Sequence, residues 1–330
     1  GGLGDNLASV DRYTVGTDLN LFTSTFLGDK NLQFEAFYVW HNDPQHNGGS
    51  NAGDRSSRGI RLNYPNDIWR AHMSYREFGD EFNPAVGFTP RNGFRRVQPT
   101  LTWAPRPDRW ASVRQMEFGI RYEHLLNLEN VLQTRQTTFT LFQAQFQSGD
   151  GFGVRSTNTF ERLNGPFKIS DGVVLPVGEY RSNEVRIDGR TASQRVVSSN
   201  FGLSKGQFWS GHRTSGYLNI TVKPFQGITL SSLYRRDDVD LAQGSFSTDL
   251  VRMSGAWHVS PWTSVTGNVQ YDSVSEIVGL FARLRWILRP GSEFFLVYTQ
   301  NWQYDPAEAH DRFATLSRGA TTKLNYTHRF

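Results

Sequence analysis

Cysteine is absent from this 330-residue chain. That excludes disulfides, thiolate nucleophiles and cysteine-bound zinc. Lysine is nearly absent too, occurring only at Lys30, Lys168, Lys205, Lys223 and Lys323, so arginine carries the basic charge. No apolar run approaches the roughly 18 residues of a membrane helix. Mean hydropathy is −0.52 and only 37% of residues are hydrophobic. The opening GGLGDNLASVD reads as a loop and not as a secretory leader. The net charge is +4 and the pI near 9.3, but the arginines are spread along the chain with no basic block. Nucleic acid is therefore not an expected partner.

What the chain does have is aromatic residues, at 14%, glycine, at 31 residues, and alternation. In VGLFARLRWILR, Val278, Leu280, Ala282, Leu284, Trp286 and Leu288 share one face of an extended strand, with Arg283, Arg285 and Arg289 on the other. VRMSGAWHV sets Val251, Met253 and Trp257 against Arg252. IWRAHMSYR sets Trp69, Ala71, Met73 and Tyr75 against Arg70 and Arg76. LQFEAFYVW and VTGNVQYD repeat the pattern, and no segment has a helical period.

Short connections such as 27–31, 64–67, 148–151, 223–227, 260–262 and 289–292 take turns with long polar ones at 41–56, 77–92, 161–182, 235–249 and 302–319. The strands between them are long enough to cross a bilayer at a tilt, which takes about 9–11 residues. Together these features predict an all-β, antiparallel, up-and-down transmembrane β-barrel of the outer-membrane type, with short turns at the periplasmic end and long loops outside. Trp40, Trp69, Trp257, Trp262, Trp286 and Trp302 lie near strand ends, where an interfacial aromatic girdle belongs. The chain closes on TTKLNYTHRF, in which Leu324, Tyr326 and Phe330 share a face. A barrel leaves no open edge in hydrocarbon, so this last strand is expected to pair with the first and to end in the periplasm. Counting back from Phe330 gives roughly 17 strands, against the even number usual in such barrels. With the glycine-rich start, this suggests the C-terminal portion of a larger barrel whose earlier strands are missing.

RLRWILRPGSEFFLVYTQNW, FGDEFNPAVGF, ERLNGPFKISDGVVLPVGEYR and FSTDLVRMSGAWHVSP, taken with the terminal KLNYTHRF, resemble a bacterial envelope family. In that family a carbohydrate-binding domain of family nine precedes a large C-terminal domain of unknown function, and members are often labelled membrane-associated hydrolases. The resemblance is collinear over essentially the whole chain. It implies that the carbohydrate-binding domain and several early strands belong upstream. It supplies no catalytic residue set.

Arg283, Arg285, Arg289, Arg252, Arg70, Arg76, Arg186 and Arg190, with Lys323 and Arg329, are expected to face the lumen. They either attract anionic solutes or sugars, or pair with Glu35, Glu117, Glu123, Asp188 and Asp272 and fill the interior. His41, Asp43 and His46 lie in a glycine-rich loop that fixes no metal geometry. RRDDVD (235–240) lacks EF-hand spacing and reads as a solvated loop. No metal and no cofactor is expected. No GxSxG elbow is present, and Ser199–Asn200 is too common a dipeptide to mark a nucleophile. GFGVRS (151–156) begins a hairpin and is no phosphate loop. Phe82, Phe88, Tyr180, Phe208, Trp209, Trp302 and Tyr304 in the long connections either stack sugars or pack loop on loop. The expected partners are outer-membrane lipid and lipopolysaccharide, the barrel assembly machinery, a carbohydrate ligand and other envelope proteins. The expected functions are a solute channel or carrier, a structural barrel that assembles surface partners, or a membrane hydrolase.

Overall fold

A computed structural model describes residues 13–42, 51–83, 89, 91–304 and 313–327. The strands in chain order are β1 (Thr14–Phe26), β2 (Lys30–His41), β3 (Ser56–Pro65), β4 (Trp69–Phe78), β5 (Phe94–Trp103), β6 (Val113–Asn127), β7 (Leu132–Phe146) and β8 (Gly151–Leu163). Two short strands follow, β9 (Phe167–Ser170) and β10 (Val173–Leu175). The series resumes with β11 (Gly178–Arg190), β12 (Val197–Phe208), β13 (Gly211–Val222), β14 (Ile228–Leu241) and β15 (Gly244–Ser260). It ends with β16 (Thr263–Asp272), β17 (Ile277–Arg289), β18 (Ser292–Tyr304) and β19 (Phe313–Asn325).

Each long strand pairs antiparallel with its neighbour in sequence, and β8 pairs with β11 across the small β9–β10 hairpin. The result is one 17-stranded up-and-down sheet. The turns have the chemistry this needs. Between β17 and β18, Pro290 precedes Gly291, whose φ of 86° suits the third position of a type II turn.

The two faces of the sheet are inverted relative to a water-soluble protein. The apolar face is the exposed one: Met253 is 60% exposed and Leu62 48%. The polar face is the sheltered one: Ser74 is 3% exposed and Ser204 5%. The total surface of 21271 Å² is about half again the roughly 13,800 Å² expected of a compact soluble protein of this mass. A soluble sheet would bury its apolar face. This one turns that face outward, as a strand crossing lipid must.

Three expectations need correcting. Among the described residues no register joins β19 to β1, and nearly every residue of both strands is exposed. With 17 strands alternating in direction, β1 and β19 point the same way. Direct closure would make a lone parallel pair in an antiparallel sheet. The second correction concerns 235–249, which is no long loop: β14 runs to Leu241 and β15 starts at Gly244. Its charges pair along the strand and across it, Arg236 with Asp238 on β14 at 2.8 Å and with Asp249 on β15 at 3.2 Å. The stretch 161–182 likewise contains the β9–β10 hairpin and the start of β11.

Buried apolar packing is concentrated at the long-connection end. Val173 and Leu175 of the small hairpin are buried against Val239 and Leu241 of β14, with Phe208, Trp209 and Phe246 around them. Val239 and Phe246 are cross-strand partners on the polar face, so the hairpin folds inward over the mouth. On β2–β5, Phe82 is tucked against His41 and Phe78, ring centroids 5.8 and 5.6 Å away.

Candidate functional site

Beneath the small hairpin, the polar face carries three cavities in series. The first, about 280 Å³, is lined by Glu161, Tyr180, Glu184, Phe208, Trp209 and Arg213 among others. The second, about 530 Å³, lies against Thr100, Thr102, Glu117, Arg121, Thr138, Thr140 and Arg186. The third, about 220 Å³, reaches Gly151, Asp188, Arg190, Asn200 and Tyr217 at the short-turn end. Thr157 and Glu184 line the first two, and Gln143 and Arg155 line the last two. The three therefore adjoin one another as one track along the polar face of β5–β8 and β11–β13.

The track is held by paired charges. Arg213 meets Glu184 at 2.6 Å and lies 4.3 Å over the Phe208 ring. Arg155 donates to Asp188 at 3.1 Å and to Gln143 at 3.2 Å. Arg186 joins Asp188 at 3.4 Å and covers the Tyr217 ring at 5.4 Å. That ring sits against Gly202, its cross-strand partner, where any Cβ would overlap it.

The arginines singled out in the sequence divide into two groups. Arg70 pairs with Glu117 at 2.9 Å, Arg186 with Asp188, and Arg285 with Glu293. Arg289 sits beside the β17–β18 turn, donating to the Thr327 carbonyl at 3.2 Å and covering Tyr326 at 4.5 Å. Arg76, Arg190, Arg252 and Arg283 make no ion pair among the described residues. Registers put Arg252 opposite Gln270 and Arg283 opposite Thr266 and Val297. Of the acids expected to neutralise this wall, Glu35 pairs with Arg61 at 3.2 Å, Glu123 accepts from Gln98 at 3.0 Å, and Asp272 accepts from the Val274 amide at 2.8 Å. Lys323 lies opposite Phe295, and Arg329 lies outside the described residues.

On the apolar face Trp69 stacks on Trp103, centroids 6.2 Å apart. Trp103 stacks on Phe118 at 5.5 Å, and Phe118 meets Phe142 edge-on at 6.0 Å. This row spans β4–β7 at the short-turn end. Trp257, Trp262 and Trp286 lie at the same end, Trp286 opposite Thr263 and Phe294. Trp302 lies at the other end opposite Val278, and Trp40 packs on Tyr13 at 5.9 Å. Eight residues separate Trp286 from Val278. At ~3.3 Å per residue and a tilt near 40°, that is about 20 Å of height, close to the ~25 Å apolar band of such barrels. Sequence reading missed Trp103, Phe118 and Phe142, and on the track Arg155, Glu184 and Arg213. Alternation within 151–163 already put Arg155 on the face of Gly153 and Thr157.

Of the remaining candidates, Leu324 and Tyr326 are 62% and 64% exposed, and Phe330 lies outside the described residues. So do Phe88, Asp43 and His46. His41 is buried, its ring nitrogens 2.9 Å from the Asn42 and Glu81 carbonyls. Phe82, Phe208 and Trp209 pack against the inward-folded segments, whereas Trp302 and Tyr304 end β18. Two of the RRDDVD carboxylates meet arginines: Asp237 pairs with Arg235 at 2.9 Å and Asp238 with Arg236. At the short-turn end, the Arg106 guanidinium beside Asp67 holds its carboxyl below the usual value.

No family model and no curated protein matches this chain. Among solved structures it is similar to the open form of the ferric-catecholate import receptor Fiu from E. coli K12, at 11% identity and a TM-score of 0.55, over 96% of this chain and 67% of that one. It also aligns with an anion-selective porin from Comamonas acidovorans, at 12% identity and a TM-score of 0.41, over 95% of each chain. The first likeness, with the inverted faces, defines the class: this is an all-β, up-and-down barrel of the bacterial outer-membrane type.

Proposed function

We propose that the chain forms a passage for polar solutes across the outer membrane, as a channel or carrier. The observation that carries this reading is the track of three adjoining cavities along the sheltered, polar face of the sheet. An anchoring barrel needs no such path and would fill its interior with packed side chains. In this reading the long connections face outward, the short turns lie in the periplasm, and the outward aromatics contact outer-membrane lipid and lipopolysaccharide. The barrel assembly machinery would insert it through the strand bearing Leu324 and Tyr326. Carbohydrates are the favoured cargo. The first cavity combines Tyr180, Phe208 and Trp209 with the carboxylates of Glu161 and Glu184, the groups that stack on and hydrogen-bond a polyhydroxylated solute.

A second reading, a closed barrel that assembles surface partners, is favoured by one observation. Leu175 is fully buried and Val173 buried where the hairpin folds over the mouth. Single-channel recording of the full-length protein in a planar bilayer, with and without oligosaccharides, separates the two. Steady openings that sugars block support the passage. A folded, silent barrel overturns it in favour of the second reading.

A further inference from the structure

On the polar face of β4 and β5, Arg76 and Arg96 are direct cross-strand partners. Partners on one face of an antiparallel pair have Cβ atoms about 5 Å apart, and like charges so placed repel. The surroundings add to the problem. On the other side of Arg76 is Gly59, which offers no side chain, and on the other side of Arg96 is Leu125. The charged groups that bear on Arg76 are Arg96, Arg61 and Glu35. Glu35 is committed to Arg61 at 3.2 Å and to Gln33 at 2.7 Å. Arg61, Arg76 and Arg121 all bear on His72. The other nearby carboxylate, Glu123, accepts from Gln98 at 3.0 Å. The Arg96 Nε is cut off from solvent and has no hydrogen-bond acceptor in the structure. Four guanidinium groups thus share two carboxylates, and a buried donor among them is unsatisfied.

Nearby arginines on this sheet are neutralised directly, as Arg155, Arg186 and Arg213 are. Arg76 and Arg96 instead face each other directly across the strands, and a charge-compensating ligand explains that pairing. We propose that Arg76 and Arg96, flanked by Arg61 and Arg121, form a binding station for an oxyanion, a carboxylate or phosphate group borne by the solute. Guanidinium forks match both oxyanions bidentately. Arg121 also lines the second cavity, so the station opens onto the polar track. This rests on the solute-passage reading and narrows it to solutes carrying an anionic group.

The test is binding by the detergent-solubilised full-length protein, which needs no open channel. Inorganic phosphate and citrate are titrated calorimetrically at fixed ionic strength, with a neutral disaccharide as comparison. Gel mobility before and after heating reports folding. Saturable binding is expected for the wild type, weakened at least about tenfold in Arg96→Gln and in Arg76→Gln, and only partly kept in Arg96→Lys, which retains the charge but not the fork. Arg109→Gln, an equal loss of charge in an exposed loop, should bind like the wild type. Citrate alone binding would assign a carboxylate cargo, and phosphate alone a phosphorylated one. A second readout covers folding failure. Removing one member of a repelling pair should raise the thermal midpoint of Arg76→Gln in low salt without anion. No saturable binding, or the same loss in Arg109→Gln, overturns the station while leaving the conductance result free to stand. A lowered midpoint for Arg76→Gln overturns it as well.

Discussion

Arg106 donates to both carboxylate oxygens of Asp67, at 2.8 and 2.7 Å. The bond ties the nine-residue connection between β5 and β6 to the β3–β4 turn, on the water side of the aromatic row. It also holds the Asp67 carboxyl below its ordinary value, chiefly through the hydrogen bond itself. A carboxylate with a depressed folded value stabilises the fold above its unfolded value. It loses that contribution as pH falls through the folded one. Asp67→Asn should therefore lower the thermal midpoint at neutral pH. The gap to the wild type should close as pH is taken down past the ordinary aspartate range. A gap that is constant from pH 7 to pH 3 would rule out the ion pair as its cause. The pair is exposed, so the effect should be small and should shrink in salt.

Met253 and Ser254 are neighbours in sequence and point to opposite faces of β15. Met253 meets Val269 and Ser232 on the apolar face, and Ser254 meets Asn268 and Ser231 on the polar one. Met253 lies four residues above Trp257, well inside the apolar band. An arginine there should cost about 2–4 kcal/mol. At Ser254 it should cost far less, because its charge reaches water and hydrogen-bonding side chains. Reversible unfolding of the two variants from lipid vesicles gives the comparison. Equal costs would mean that the exposed apolar face does not meet lipid.

Much of this fold was legible because strict alternation survives translation into structure. The period-2 pattern of Val278–Leu288 became β17, with Arg283 and Arg285 on the polar face. Where apolar alternation gives way to charge, the pattern misled. Arg235, Arg236, Asp237 and Asp238 look like a solvated loop. They form strand because each arginine finds an acid two residues on or across the hairpin. The track and the Arg76–Arg96 pair were legible only by face. Which residues meet depends on register, and register is set by turn lengths and bulges that one sequence does not announce. The bulge that sets both Leu141 and Phe142 off the polar face is such a case.

Leu175 is fully buried and belongs to a hairpin whose anchorage is apolar. Leu175→Ala should cost about 2–5 kcal/mol of packing. The loss falls on the docking of residues 167–175 and not on the 17-stranded sheet, which the hairpin does not enter. Proteolytic cleavage within that segment should speed up while heat-modifiable gel mobility stays that of the folded barrel. If the hairpin restricts the mouth, conductance should rise in the same variant. Faster cleavage with unchanged conductance would leave the hairpin a surface feature with no part in the path.

Gly202 gives room to the Tyr217 ring, which lines the third cavity beneath the Arg186 guanidinium. A methyl group at position 202 would push the ring off the wall. The ring lines the cavity on one side and meets the Arg186 guanidinium on another, so the cavity is where it can move. Gly202→Ala should therefore cost about 1–3 kcal/mol of overpacking and narrow the passage at its short-turn end. The diagnostic variant is the double one. Gly202→Ala with Tyr217→Ala removes the ring that the methyl displaces, so conductance should recover to at least the wild-type level. The stability changes should be strongly non-additive, as for residues in contact. Additive costs, or no recovery of conductance, would mean that the ring is not what the glycine accommodates.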